Sequence, residues 1–72
     1  MEKRYFSQRS PITQKVEYYL AVPECDEDLS MHLYKQVKGQ WVLIERHDYD
    51  FLRQKLDGLL ARGLIVEYKL IA

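Results

Sequence analysis

Apolar residues alternate with polar residues in segments 13–22 and 29–37, and this period of two is typical of half-buried β-strands. A two-residue turn at Lys38-Gly39, with Gly39 at positive φ, would lead from the second segment into a strand over 40–46 and form a hairpin. The alternation and the turn together predict three consecutive strands.

The hairpin turn also predicts a register for the second and third strands. A two-residue loop places Val37 opposite Gln40, and continuing the pairing without interruption places Leu33 opposite Ile44 and His32 opposite Glu45. A three-residue turn would instead exchange the faces of one strand, so the register depends on this turn.

A helical period replaces the alternation after residue 48. Projected at 100° per residue, the apolar positions fall in one sector about 100° wide. They are Tyr49, Leu52, Leu56, Leu59 and Leu60. Asp48 is suited to the N-cap and Gly63 to the left-handed position after the last turn, which predicts a helix that ends at about Arg62. Alternation then returns over 64–71 and predicts a fourth strand.

The order β-β-β-α-β predicts an α+β fold with a four-stranded mixed sheet and one helix packed on one face. The mixed character follows from a right-handed crossover that would make the third and fourth strands parallel. We assign this single domain to residues 13–72. The first twelve residues show no period and end in Ser10-Pro11, which predicts an N-terminal arm.

The predicted sheet is wider than the helix that should cover it. Four strands at about 4.8 Å spacing span about 19 Å, whereas a helix with its side chains is about 10–12 Å across. The uncovered part must be closed by the arm, through Tyr5, Phe6 and Ile12, or by another polypeptide. We expect the helix-facing side to include Val16, Tyr18, Leu20 and Val22 of the first strand and Leu64, Val66, Tyr68 and Leu70 of the last. The opposite side should present the partner-binding residues, which are Tyr19, Tyr34, Trp41 and Leu43.

Composition narrows the class of protein. The chain has 72 residues, 47% of them hydrophobic, and its eleven basic residues balance eleven acidic ones. This is the composition of one globular domain, and its neutrality removes the usual electrostatic case for a nucleic-acid or membrane binder. Cys25 is the single cysteine, which excludes an intrachain disulfide. With no signal-peptide pattern and no apolar run of spanning length, we expect a cytoplasmic protein.

The sequence offers little for catalysis or metal binding. Cys25, Asp26, Asp28 and His32 lie close together in the chain but match neither a zinc nor a calcium spacing. The run His47-Asp48-Tyr49-Asp50 holds two carboxylates that a helix start explains, and the three glycines form no phosphate-binding loop. We therefore expect no enzyme activity, no catalytic residue, no metal, no cofactor and no small-molecule substrate.

These observations predict a small non-enzymatic protein-binding module of the inhibitor or adaptor type, with a regulatory role. It would act through an exposed sheet face or edge and self-associate as a homodimer or bind another protein. The alternative is a single-stranded nucleic-acid binder that uses the sheet face and the basic, aromatic arm. The arm residues concerned are Lys3, Arg4, Tyr5, Phe6 and Arg9. The sequence leaves open the strand order and the identity of the partner.

Overall fold

The computed structural model describes residues 2–25 and 27–69. Within them lie five strands and one helix. They are β1 (Arg4–Arg9), β2 (Val16–Cys25), β3 (Leu29–Val37), β4 (Gln40–Asp48), α1 (Tyr49–Ala61) and β5 (Val66–Tyr68). The last strand was predicted over 64–71, but within the described residues β5 covers only Val66–Tyr68. Residues 70–71 of that prediction lie outside the described residues.

The strands form one sheet in the order β4-β3-β2-β1-β5, with every neighbouring pair antiparallel. The α+β class is confirmed. The prediction of a four-stranded mixed sheet was wrong because Arg4–Arg9, placed in the predicted arm, forms a strand between β2 and β5. The strand after the helix therefore pairs with β1 rather than with β4, and the expected parallel pair does not form.

The hairpin between β3 and β4 has the predicted turn but not the full predicted register. Lys38 and Gly39 have φ of 51° and 78°, and Val37 pairs with Gln40 as expected. A β-bulge then interrupts the ladder between Leu33 and Tyr34, so that Leu33 pairs with Glu45 and Tyr34 with Leu43. The continuous register was wrong because a bulge adds one residue to β4, and this residue is Ile44.

Helix α1 has the predicted caps at both ends. The Asp48 carboxylate accepts a hydrogen bond from the Asp50 backbone N–H at 3.2 Å. After the last turn, Gly63 adopts φ of 72° and its N–H donates to the Leu60 carbonyl, while the Leu64 N–H donates to the Leu59 carbonyl. These bonds satisfy backbone groups that a helix end otherwise leaves free. Both cap predictions are confirmed.

The core lies between α1 and one face of the sheet. Its buried members are Phe6, Ala21, Met31, Leu33, Leu52, Leu56 and Ile65. Strand β2 thus turns Ala21, together with the half-buried Tyr19, towards the helix, and the prediction that Tyr18 and Leu20 would face it was wrong. Alternation alone shows which residues share a face, but not which face the helix covers.

The helix crosses the sheet obliquely and covers it only in part. It begins at the end of β4, at one edge of the sheet, and leads to the start of β5 at the other edge. The turn end of the β3–β4 hairpin therefore lies beyond the helix, and there Val37 and Val42 remain more than two-fifths exposed. Ile12 is 90% exposed, so it does not provide the expected cover.

Candidate protein interface

Strand β4 is an edge strand with an apolar surface. In the described part of the chain it pairs with β3 on one side and with no strand on the other. Trp41, Val42, Leu43 and Ile44 follow one another along it and are between 38% and 49% exposed. We refer to Trp41–Ile44 as the β4 edge. Proteins usually protect such edges, because unpaired backbone N–H and C=O groups beside apolar side chains invite another strand to pair.

The bulge turns one side chain of the β4 edge towards the helix. Ile44 lines an apolar cleft of about 220 Å³ that runs beneath α1, together with Leu33 and Leu52. At its rim the Lys55 Nζ lies 3.2 Å from Glu45 Oε1. The cleft is large enough for an aliphatic side chain, and because Ile44 and Glu45 of β4 line it, it extends to the strand at the free edge of the sheet.

The face of the sheet opposite the helix carries a cluster of aromatic rings, which we call the aromatic face. Tyr5 is at its centre, with ring centroids 6.3 Å from Trp41 and 5.8 Å from Tyr68, and Tyr18 lies 6.1 Å from Tyr68 edge-on. These separations are typical of interacting aromatic pairs. Burial raises the pKa of Tyr68, and the neighbouring Tyr18 and Tyr5 add to this effect.

Three of the four predicted partner-binding residues lie together on this face. Tyr34 pairs directly with Leu43, and Trp41 lies two residues before Leu43 on β4, on the same face. Tyr19 does not join them, because it faces the helix side with its hydroxyl 3.1 Å from Glu17 Oε2. Burial raises the pKa of Tyr19, and the hydrogen bond to Glu17 adds to this effect. The placement of Tyr19 beside the other three was therefore wrong.

The residues of the alternative nucleic-acid site are divided between the core and the surface. Phe6 is buried in the core, and Tyr5 belongs to the aromatic face. Arg4 donates to Glu67 at 2.8 Å and to Asp57 at 2.9 Å. The hydrogen bond to Glu67 is the main cause that raises the pKa of the Arg4 guanidinium, and the bond to Asp57 adds to it. Lys3 and Arg9 are exposed. A charge already paired with two carboxylates is not free for a phosphate backbone.

Sequence reasoning missed Tyr5, Tyr18 and Tyr68 as members of the aromatic face. Tyr5 was assigned to an arm, while Tyr18 and Tyr68 were assigned to the helix-facing side. The signal was the possible pairing of residues 4–9 with the strand that follows them. When 4–9 is taken as a strand, Tyr5 in β1 and Tyr18 in β2 lie on the same face. Such a strand has few apolar residues, and this made it difficult to recognise.

The described residues hold no group of three His, Cys, Asp or Glu side chains arranged for a metal ion. Cys25 is exposed, and His47 Nε2 lies 3.0 Å from Glu45 Oε1 while its ring packs against Phe51. His32 points to the aromatic face, where its Nε2 is buried and has no hydrogen-bond partner within residues 2–25 and 27–69. Asp26 lies outside the described residues. Among the described residues, no helix is long and apolar enough to cross a membrane.

Comparison of the chain with protein-family models, with curated proteins and with solved structures gives no significant match. The function must therefore be inferred from the geometry and chemistry of the chain itself.

Proposed function

We propose that the chain is a small protein-binding module that takes up an extended segment of another polypeptide along the β4 edge. The observation that carries this proposal is the run of four exposed apolar side chains on a strand whose outer side is unpaired in the described part of the chain. In strand addition, main-chain hydrogen bonds supply affinity and alternate side chains supply selectivity. An inhibitor or an adaptor could act in this way without any catalytic group.

The surroundings of the β4 edge would give the added strand two different environments. On the helix side, a side chain next to Ile44 would meet the apolar cleft beneath α1. On the other side, a neighbouring side chain would meet Leu43 and Trp41 at the border of the aromatic face. Because successive side chains of a strand point to opposite faces, a bound segment would fill both environments. Aromatic residues at such a site are typical of interface centres.

The alternative of single-stranded nucleic-acid binding receives less support from the geometry. Phe6 packs in the core and Arg4 is held by Asp57 and Glu67, so two of the five residues that would carry it have other contacts. Protein binding at the β4 edge needs none of the three basic residues, whereas Phe6 lines the cleft beneath α1 and Tyr5 packs against Trp41.

The experiment compares Leu43→Lys with Val66→Lys. Leu43 is 49% exposed on β4, and Val66 is 62% exposed on the opposite edge strand β5, so both changes place a charge on an exposed strand at a sheet edge. The immobilised wild-type chain should retain a protein from a lysate of its source cells, Val66→Lys should retain it as well, and Leu43→Lys should lose it. Circular dichroism would check that both variants are folded.

Amide hydrogen exchange with the recovered protein then locates the contact. Strand addition should slow the exchange of β4 amides, because those that point outwards gain hydrogen bonds. Equal retention by both variants, or unchanged exchange along Gln40–Asp48 in the complex, would contradict binding at the β4 edge.

A further inference from the structure

We propose that the segment added to the β4 edge is β4 of a second copy of this chain, paired antiparallel about a twofold axis at Leu43. This inference rests on the proposed function, because it uses the same free edge, and it names the partner. A twofold interface must be self-complementary, since each residue meets its counterpart under the same symmetry. The two halves of β4 can therefore be tested against each other residue by residue.

The charges at the two ends of β4 are complementary. Lys38 lies in the turn before β4, and Asp48 is the last residue of the strand. Because Ile44 and Glu45 share one position of the ladder at the bulge, symmetric pairing at Leu43 brings Asp48 opposite Gly39 of the second copy and next to Lys38, twice in the dimer. Within the described residues neither side chain takes part in an ion pair. A parallel arrangement in register would instead place Lys38 beside Lys38, and like charges opposite each other destabilise a sheet.

The apolar side chains near the axis are complementary as well. Pairing at Leu43 places Leu43 beside its own counterpart and Val42 beside Ile44 of the second copy. Val42 and Ile44 both lie on the helix side of the sheet, so this pair shares one face. These three residues are nearly half exposed in the single chain, and the pairing would cover them together.

The oblique helix gives the third argument. Helix α1 begins at the Asp48 end of β4, and the opposite end of the strand is the one that α1 leaves uncovered around Val37. Phe51, in the first turn of α1, packs against His47 with ring centroids 4.8 Å apart and is still 56% exposed. Antiparallel pairing about an axis through the sheet places both helices on one face and brings Phe51 of each copy to the uncovered end of the other. Two separate exposed apolar regions would then cover each other.

The first test measures the mass of the intact chain in solution. Sedimentation at micromolar concentrations should give twice the monomer mass for the wild type and for Val66→Lys, and the monomer mass for Leu43→Lys and Val42→Lys. Lys38→Glu should weaken the association several-fold, because it places two carboxylates together at each end of the paired strands. Phe51→Ala should weaken it also.

The second test determines the register. In a Cys25→Ser background, Leu43→Cys should oxidise to a covalent dimer, because antiparallel partners on the axis lie about 4.5–5.5 Å apart at Cα, which is within the range for a disulfide. Val66→Cys in the same background is the matched control, and we expect it to stay monomeric.

The outcomes separate this inference from the proposed function. A wild-type chain that stays monomeric, while a different protein is captured in a manner that Leu43→Lys abolishes, overturns the second copy as partner but supports strand addition. A dimer that survives Leu43→Lys and Val42→Lys, or that cross-links at Val66→Cys rather than Leu43→Cys, overturns the β4 pairing. A monomer that also captures nothing overturns both.

Discussion

The ring of Tyr5 lies 6.3 Å from the ring of Trp41, although β2 and β3 separate the strands that carry them. At about 4.8 Å between neighbouring strands, β1 and β4 are about 14 Å apart along the sheet. The two side chains must therefore lean towards each other across the face. Leu20 lies between them in the sheet and is only 7% exposed although no helix packs on this face in the described part of the chain. Leu20 pairs with Tyr5 on one side and with Tyr34 on the other, and these aromatic neighbours explain its burial on this face.

This relationship predicts an energetic coupling between Tyr5 and Trp41. The variants Tyr5→Ala and Trp41→Ala should each lower the free energy of unfolding, and the double variant should lose less than their sum. Aromatic pairs in contact contribute about 0.5–1.5 kcal/mol beyond the area they bury, so the interaction energy should lie in this range. Urea unfolding of the four proteins measures it. Strictly additive effects would mean that the rings do not stabilise each other.

The parts of the fold that depend on local signals could be predicted from the sequence. Lys38 and Gly39 form the hairpin turn because both adopt positive φ. Asp48 caps the start of α1, and Gly63 allows the left-handed conformation that ends it. Tyr34, Trp41 and Leu43 were grouped on one face because the same turn relates β3 to β4. In each case the residues that matter are close together in the chain.

The parts that depend on distant residues could not be predicted in this way. Strand β1 carries Arg4 and Phe6 on its helix face, and Arg4 suits that position only because Asp57 and Glu67, more than fifty residues away, neutralise it. The bulge at Ile44 and the inward orientation of Tyr19 likewise depend on how α1 packs over the sheet. An alternating pattern does not contain this information.

The ion pair between Arg4 and Glu67 predicts a loss of stability in acid. The hydrogen bond from Arg4 lowers the pKa of Glu67 below its ordinary value of 4.5. Because the folded chain has the lower pKa, the contribution is complete above about pH 4.5 and disappears as the pH falls through the folded value. Glu67 is 37% exposed, so solvent screening limits the effect to about 0.5–1 kcal/mol.

Urea unfolding between pH 7 and pH 3 tests this contribution. Glu67→Gln should reduce stability near neutral pH and flatten the fall towards acid. Glu27→Gln removes an exposed carboxylate that makes no ion pair among the described residues, and it is the matched control. An acid profile of Glu67→Gln that has the same slope as the wild type would show that this pair does not contribute.

Tyr19 and Tyr68 should ionise at a higher pH in the folded chain than in the unfolded chain. Burial raises the pKa of both Tyr19 and Tyr68 above 10.0. Stability from these groups is therefore present below pH 10 and is lost as the pH rises through their folded values, because the unfolded chain gives up its protons first. A near-ultraviolet absorbance titration of the folded chain should show a late component, which Tyr19→Phe and Tyr68→Phe each reduce. The chain in urea, where all six tyrosines are solvated, should lack it.

Gly58 inside α1 and Gly63 just after it should respond in opposite directions to the same substitution. Gly58 lies inside the helix, and apart from its chain neighbours and the backbone of its own helix, a Cβ added there would meet no described atom within 4 Å. Gly58→Ala should therefore raise the free energy of unfolding by about 0.5–1 kcal/mol, because alanine loses less backbone entropy on folding.

Gly63 also has free space around it, but its φ of 72° lies in the left-handed region that a side chain disfavours. Gly63→Ala should lower the free energy of unfolding by about 1 kcal/mol, and the cap formed with Leu60 and Leu59 would become strained. For a domain of this size each change should move the melting temperature by about 4–8 °C per kcal/mol, in opposite directions. Differential scanning calorimetry measures both shifts. If both variants moved in the same direction, the backbone conformation at Gly63 would not be what determines the end of this helix.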